Sequence, residues 1–419
     1  MAGNATVIAR VRAAEVPILA APSLPRAVSA CGIARVELVG DLAAAEPPWR
    51  RLEETGVLTP YQRYDWVAGW HRHVGIAENV TPLLLAAFDK TGEPLFIWPL
   101  GFSAGAHYKV ARFLGGKHAN YNFGPWRRDF SCDAMALRAV IDWIAEVRPD
   151  LDTIELTNQP ESWGGMKNPF LLLAHQLSPS DGFKLTLTGT SEELFSRILS
   201  NSMRSRLRNK ERKLEKFTGY RYLRATTEPE IDRYLGAFLK QKAVRLAAQG
   251  IENVFASGEV FDFMRDACLH GLGEGRPVIE VHALDSDEEM LAMFAGVNDG
   301  ERFSSMFNSY TLGDAARHSP GLVILTHIIR DCMARGLRTF DLGVGEAQYK
   351  TFFSDEPEPL FDNFFGLSPR GQALAAAFSA KATMKRWVKR SPKLLQFALT
   401  MRRLTAGGKP TAESGGSET

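Results

Sequence analysis

The sequence predicts an α/β (α+β) fold laid down twice in tandem, each unit a mixed, mostly antiparallel sheet flanked by helices. Three observations predict it. Short runs alternating with period two, which read as strands, are interleaved with longer stretches of helical spacing. The order of these elements in 33–189 recurs in 218–369 with negligible identity between the copies. Between them lies a strongly basic helical segment, 190–217.

Taken in order, 1–32 is an Ala- and Pro-containing stretch that predicts a weakly ordered lead-in. "ARVELVG" (34–40) alternates as a strand. "EPPWRRLEETG" and "QRYDWVAGWHRHVG" have helical spacing and glycine stops at Gly56 and Gly75. "TPLLLAAFDKTGEPLFIWPLGFS" (81–103) is two apolar runs around a turn, a hairpin. A strand at 108–116, a helix at 132–147 and strands at 153–157 and 183–188 complete the first unit. In the linker, Thr190 and Glu193 stand at capping-box spacing and predict a helix start. Met203, Leu207, Leu214 and Phe217 then share one face, with Arg204, Arg208 and Arg212 along another, as a solvated face or a phosphate contact. The second unit repeats the pattern: a strand at 220–226, two helices, three strands between 277 and 311, and a helix at 320–336. The strand "TFDLG", the short helix "EAQYKTFF" and a last strand at 360–368 close it.

The tail has a different character. From residue 363 to 412 there are ten bases and no acid, so a mildly acidic body carries a basic C-terminal segment. Residues 370–405 read as two amphipathic helices, the second capped by Ser391 with Pro392 at its first position, and 406–419 as disordered. Such a segment suits either packing on the second unit or peripheral contact with an anionic membrane surface.

The 419 residues, 45% hydrophobic, suffice for two or three cores. Cys31, Cys132, Cys268 and Cys332 are far apart, with no C-x-x-C or zinc-like His spacing, which predicts reduced thiols and no metal. No signal-like run opens the sequence, and no apolar stretch reaches the roughly 20 residues of a membrane span. The expectation is a cytoplasmic protein.

One junction carries candidate chemistry. "FDLGVGEAQYKTFF" (340–353) sets Asp341 at a strand end, then two glycines, then Glu346, Tyr349 and Lys350 within about a turn. Asp341 can orient a reacting group or merely bond loop N–H groups; Tyr349 can donate a proton or pack with Phe352 and Phe353. Glu280 and His282 share a strand face by period two, as cleft ligands or as satisfied core groups.

The segments "RFLGGKHANYNFGPW" (112–126), "SMRSRLRNKERKLEKF" (202–217), "MFNSYTLGDAARHSPG" (306–321) and "GLRTFDLGVGEAQYKTFF" (336–353) resemble the CelD/BcsL-type acetyltransferases of bacterial cellulose and exopolysaccharide biosynthesis. These lie within the Gcn5-related N-acetyltransferase (GNAT) superfamily, and the likeness spans roughly residues 35–370. It implies an acyltransferase with acetyl-CoA or another acyl-CoA as co-substrate. The acceptor it implies is a saccharide, or a nucleotide- or lipid-linked sugar, with a polysaccharide synthase as a further candidate partner of the 370–405 tail and no specific nucleic acid outside the tRNA alternative given below. It places the donor pyrophosphate at Arg317, His318, Ser319, Pro320 and Gly321, where a helix N-terminus favours negative charge. It further implies Tyr349 as general acid, Lys350 as oxyanion stabiliser, and Asp341 or Glu346 toward the acceptor. Asn308 and Tyr310 become substrate contacts on a strand that splays to admit the donor. The first unit, lacking the Pro-Gly step, is expected to be degenerate in donor binding and to wall the acceptor cleft. "ARHSPG" keeps only Arg317 and Gly321 of the usual donor loop. A departing loop, the "YKTFF" pattern and a basic linker are shared with Fem-type aminoacyl-tRNA-dependent transferases, which form the alternative reading. A non-catalytic saccharide-binding or assembly protein is the third.

Overall fold

The computed structural model describes residues 29–103, 107–248, 250, 253–391 and 394. Most of the expected lead-in, the second tail helix and the 406–419 terminus therefore lie outside the described residues. Elements run in chain order as β1 (Arg35–Val39), α1 (Leu42–Thr55), α2 (Tyr64–Trp70), β2 (Val80–Phe88), β3 (Pro94–Ser103) and β4 (Val110–Phe113). Next come α3 (Ala134–Val147), β5 (Thr153–Pro160), β6 (Gln176–Leu177) and β7 (Gly182–Thr186). The linker forms α4 (Ser191–Ile198) and α5 (Asn201–Leu214). The second half supplies β8 (Arg221–Arg224), α6 (Glu228–Ala248), α7 (Gly258–Leu269), β9 (Glu280–Asp285), β10 (Met290–Asn298) and β11 (Arg302–Tyr310). It ends with α8 (Pro320–Ala334), β12 (Thr339–Val344), α9 (Gln348–Phe352), β13 (Pro357–Glu358), β14 (Leu360–Gly366) and α10 (Pro369–Arg390).

Local chemistry explains the boundaries. The α1 helix starts earlier than its prolines suggest, because the Asp41 carboxylate accepts from Ala43 N. Pro47 and Pro48 then sit inside the helix, a cost offset by burying Leu42, Ala45, Trp49 and Leu52 on one face. Both bonds of the capping box at Thr190 are made. The linker is nonetheless two helices, broken at Leu199, because Ser200 caps α5 through Met203 N.

The two sheets have the same strand order. The first runs β1-β2-β3-β4-β5-β14-β6 and the second β8-β9-β10-β11-β12-β7-β13. In each, one neighbouring pair is parallel, β4 with β5 and β11 with β12. The mixed, mostly antiparallel architecture is thus built twice, as the sequence order predicts.

The sixth strand of each sheet, however, comes from the other half of the chain. β7, last in the first half by sequence, pairs with β12, while β14 pairs with β5. Phe361 and Phe365 of β14 enter the first core; Phe183 and Leu185 of β7 enter the second. Asn363 pins the exchange, its amide donating to Ala174 O (2.8 Å) and accepting from Gln159 Nε2 (2.7 Å). The first core also takes in α6 and α7, with Trp66 edge-on to Phe263 at 5.3 Å. Cuts at 189 and 218 divide the chain, yet each sheet is complete only with a strand from across them. Among the described residues no helix is long and apolar enough to cross a membrane, and no His/Cys/Asp/Glu group could hold a metal.

One buried acid in the exchanged strand has a measurable signature. Asp362 is 1% exposed, accepting from Ser178 Oγ and Asn158 N, and burial lifts its carboxyl to about 6. Its folded value exceeds the unfolded one, so the stabilisation is complete below about pH 4 and is lost as pH rises through about 6. Asp362→Asn should therefore gain on wild type by up to about 2–3 kcal/mol between pH 4 and pH 7, read by urea denaturation at each pH.

Candidate active site

The parallel pairing of β11 with β12 covers only Arg302–Ser304 against Thr339–Asp341. Beyond that the strands part, and two local features open them. The register of β11 against β10 slips at Met306, a bulge that re-aims the strand. Phe303 before it stacks on Phe340 in the second core, and Phe307 after it packs on Phe238 in the first. Gly343 and Gly345, at φ +79° and +95°, turn the end of β12 away. The result is a V between β11 and β12. Asn120 of the first half reaches into it, donating to Ser305 O at 2.9 Å, and a Cβ on Gly343 would lie 2.9 Å from its Nδ2.

Asp341 sits at the closed end of the V, fully buried. Its Oδ1 accepts from Tyr121 Oη (2.8 Å) and Gly343 N (2.7 Å). Its Oδ2 accepts from Arg302 Nε (3.0 Å) and Nη2 (2.7 Å) and from Ser304 Oγ (2.6 Å). The Arg302 guanidinium also bonds Glu358 and lies 4.1 Å from the Trp163 ring centroid and 4.8 Å from that of Tyr121.

The rim of the V is the start of α8. Ser319 adopts φ 49°, ψ 55° ahead of Pro320 at the first helical position. Its Oγ accepts from Lys210 Nζ of α5 at 2.5 Å. Burial, with the charges of Arg317, Lys213 and Lys210, lowers the His318 pKa, so four basic groups converge on one helix N-terminus. Gly321 is backed by the Tyr310 ring, 3.1 Å from where its Cβ would stand. Arg245 covers that ring at 3.4 Å from its centroid.

The α6 helix and α9 form the walls. Lys242 donates to Asn308 O (3.3 Å) and Arg245 to Tyr310 O (3.1 Å), so both bind carbonyls freed where β11 leaves β12. Burial, then the Arg245 charge, lowers the Lys242 pKa. The half-buried Tyr349 hydroxyl meets the Asn308 side chain; burial raises its pKa to about 12, against the pull of that bond. Lys350 is 6% exposed and donates to Gly343 O (3.1 Å) and Val344 O (3.2 Å). Burial brings its pKa down to about 8, opposed by Asp341 and Glu346.

The fold thus gathers Asn308, Tyr310, Arg317, His318, Ser319, Pro320, Gly321, Tyr349 and Lys350 around one opening. Glu346 is exposed on the loop beside it. Asp341 is placed differently from a catalytic or acceptor-facing carboxylate: its five donors occupy it, and its geometry is that of the loop-holding alternative. Glu280 and His282 do not reach the V. They are 5% and 0% exposed, Glu280 accepting from Asn298 Nδ2 and Arg335 Nη1 and His282 facing Tyr222 Oη at 2.8 Å. Burial opposes ionisation of Glu280, but His282 and Arg335 outweigh it and lower its pKa to about 2. Arg335 caps the end of α8 opposite Ser319, roughly 24 Å away along the helix. Alternation put these two on one face without telling which end of the sheet that face served.

Lys210, Lys213, Lys242, Arg245 and Asn120 escape a linear reading. For Lys210 a signal existed. It continues the buried seam Met203–Leu207–Lys210–Leu214, where a base is out of place unless it meets a partner. The bases at Arg208 and Arg212 face solvent instead.

Residues 201–351 match the family model described as an acetyltransferase (GNAT) domain, a stretch that starts in α5 and takes in β11, α8 and β12. No curated protein matches the chain in sequence. Among solved structures, FemX has TM-score 0.54 and 10% identity, with 82% of this chain and 99% of that one covered, a likeness of fold. A tandem GNAT protein from the clavulanic acid biosynthesis pathway has TM-score 0.43, 12% identity and coverage of 80% and 99%. The C-terminal domain of a putative lysylphosphatidylglycerol synthetase from Agrobacterium fabrum has TM-score 0.48, 10% identity and coverage of 81% and 96%.

Removing the anion at the closed end should be costly. Asp341→Asn leaves the buried Arg302 short of its main partner, and a loss of about 3–5 kcal/mol in urea denaturation is expected. Lys350→Met frees Gly343 O and Val344 O. It should lower stability by about 1–3 kcal/mol and speed amide exchange at 343–347, read by hydrogen exchange.

Proposed function

We propose that this protein is an acyl-CoA-dependent acyltransferase whose acceptor is an amine or hydroxyl of a saccharide or polysaccharide precursor. The observation that carries the donor reading is the V itself, crowned by a helix N-terminus at which Lys210, Lys213, Arg317 and His318 converge. A pyrophosphate fits that rim by charge and by the helix dipole. The acyl arm would then run down between β11 and α9, past Asn308 toward Tyr349. The saccharide reading is supported by the resemblance of 112–126, 306–321 and 336–353 to the exopolysaccharide-associated acetyltransferases.

Transfer is direct. The acceptor lone pair forms the new bond to the acyl carbon, the carbon–sulfur bond breaks, and the leaving thiolate takes the Tyr349 hydroxyl proton. The resulting phenolate recovers a proton released by the acceptor through solvent. A phenol held near 12 stays protonated at neutral pH and still gives its proton to a thiolate formed within reach. Lys350 acts as a positioning residue, tying Gly343 and Val344 so that the loop before α9 presents Tyr349 to the V.

One observation also accommodates the alternative donor, an aminoacyl-tRNA. At the α8 rim, Leu322 N and Val323 N both bond Ser319 O. The anion-binding groups are therefore mainly side chains, which suits a phosphodiester backbone as well as a pyrophosphate.

Thermal shift with CoA, acetyl-CoA and deacylated tRNA separates the two, since a ligand that binds only the folded state raises Tm by mass action. A shift with CoA and none with tRNA is expected; the reverse would replace the donor. Lys210→Gln with Lys213→Gln should weaken CoA binding by about tenfold or more, and Gly321→Val should abolish it by displacing Tyr310. Tyr349→Phe should lower turnover by about 10²–10⁴-fold with CoA affinity nearly unchanged. Wild-type turnover in that variant would remove the phenol from the mechanism.

A further inference from the structure

We infer that the outward face of α10 is a docking surface for an anionic lipid bilayer, with Met384 and Trp387 as its inserted side chains. The helix has 22 residues, and its inner side is accounted for. Ala375 is buried, Phe378 packs toward Tyr108, and Ser379 bonds Gln176. Arg386 donates to Asp181 (3.0 Å), Arg390 to the other Asp181 oxygen (2.7 Å), and Lys389 to Ser180 Oγ. These bases, which composition alone offers to an outside partner, are in part spent on the body of the protein.

What remains outward is uncharged and apolar along its centre. Ala373, Ala377, Ala380, Met384 and Trp387 follow one another at alternating spacings of four and three, one stripe of an α-helix, and all are exposed. Met384 and Trp387 are 61% and 65% exposed, among the most exposed large apolar side chains described. Lys381 and Lys385 flank the stripe, exposed as well. An apolar ridge bearing a tryptophan, fringed by lysines with long methylene stems, has the make-up of a helix lying in the headgroup region. Charge selects the occupant. A second copy lying along this stripe would bring Lys381 and Lys385 against their equals, and 363–412 holds no acid to compensate. An anionic surface meets the same bases favourably, each one near it contributing about fivefold in affinity.

The helix is tied to the site through the segment just ahead of β7. Asp181, which holds Arg386 and Arg390 by its side chain, accepts from Gly345 N by its carbonyl at 2.9 Å. A bilayer under α10 therefore lies beside the support of the loop that carries Tyr349. Docking does not rest on the donor reading, and its test is independent of CoA.

Full-length protein is co-sedimented with vesicles of phosphatidylcholine and phosphatidylglycerol (3:1) and of phosphatidylcholine alone, at low and at physiological salt. Wild type should pellet with the anionic vesicles, more strongly at low salt. Met384→Ser with Trp387→Ser should lose at least tenfold in binding with Tm unchanged, and Lys381→Gln with Lys385→Gln should lose binding and its salt dependence together. Equal binding by the Ser double variant, or no binding by wild type at low salt, overturns the inference. So does wild-type self-association that the same double variant abolishes, which would make a second copy the occupant.

Discussion

The structure turns on the pairing of Arg302 with Asp341. Each group alone would be a charge stranded in the interior, and together with Tyr121, Ser304 and Gly343 N they leave no oxygen of the carboxylate unbonded. Three parts of the chain meet there. Arg302 and Ser304 open β11, Asp341 and Gly343 belong to β12, and Tyr121 comes from the first half. A buried ion pair is weak as a source of stability, but it is demanding in geometry. Here it sets where β11 and β12 are held together and hence where they are free to part.

Above that lock, the V exists because nothing continues the ladder. The bulge at Met306 and the glycines at 343 and 345 turn the two strands apart. The carbonyls thus freed must find donors, since buried and unpaired they would each cost about 1–3 kcal/mol. Asn120, Lys242 and Arg245 supply them at Ser305, Asn308 and Tyr310. Satisfying the backbone therefore brings two cations into the cleft wall, and the linker helix adds Lys210 and Lys213 at its rim. The positive character of the opening follows in part from a hydrogen-bonding requirement.

The strand exchange gives this arrangement its rigidity. β7 stands next to β12 and β14 next to β5, so opening either sheet disturbs both halves. α10 follows directly from β14, and its inner bases close on Asp181 just ahead of β7. The basic tail segment is thereby divided by geometry into an inner row that braces the fold and an outer row that faces outward.

Much of this was legible in the linear chain. Period-two runs, helical spacing and caps such as Thr190–Glu193 are local, and local rules place them, so the repeated element order and the α/β class with mixed sheets could be read directly. The proximity of Tyr349 and Lys350 to the strand end at Asp341 is likewise a matter of spacing. Which strand completes which sheet could not be read, because pairing is decided by partners far away in sequence. The same distance hid the role of Asp341, whose donors Tyr121 and Arg302 are 220 and 39 residues away. It also hid the burial of Glu280 beside Arg335 and of His282 beside Tyr222. Sequence determines what each segment wants to bury; only the assembled sheets decide what it meets.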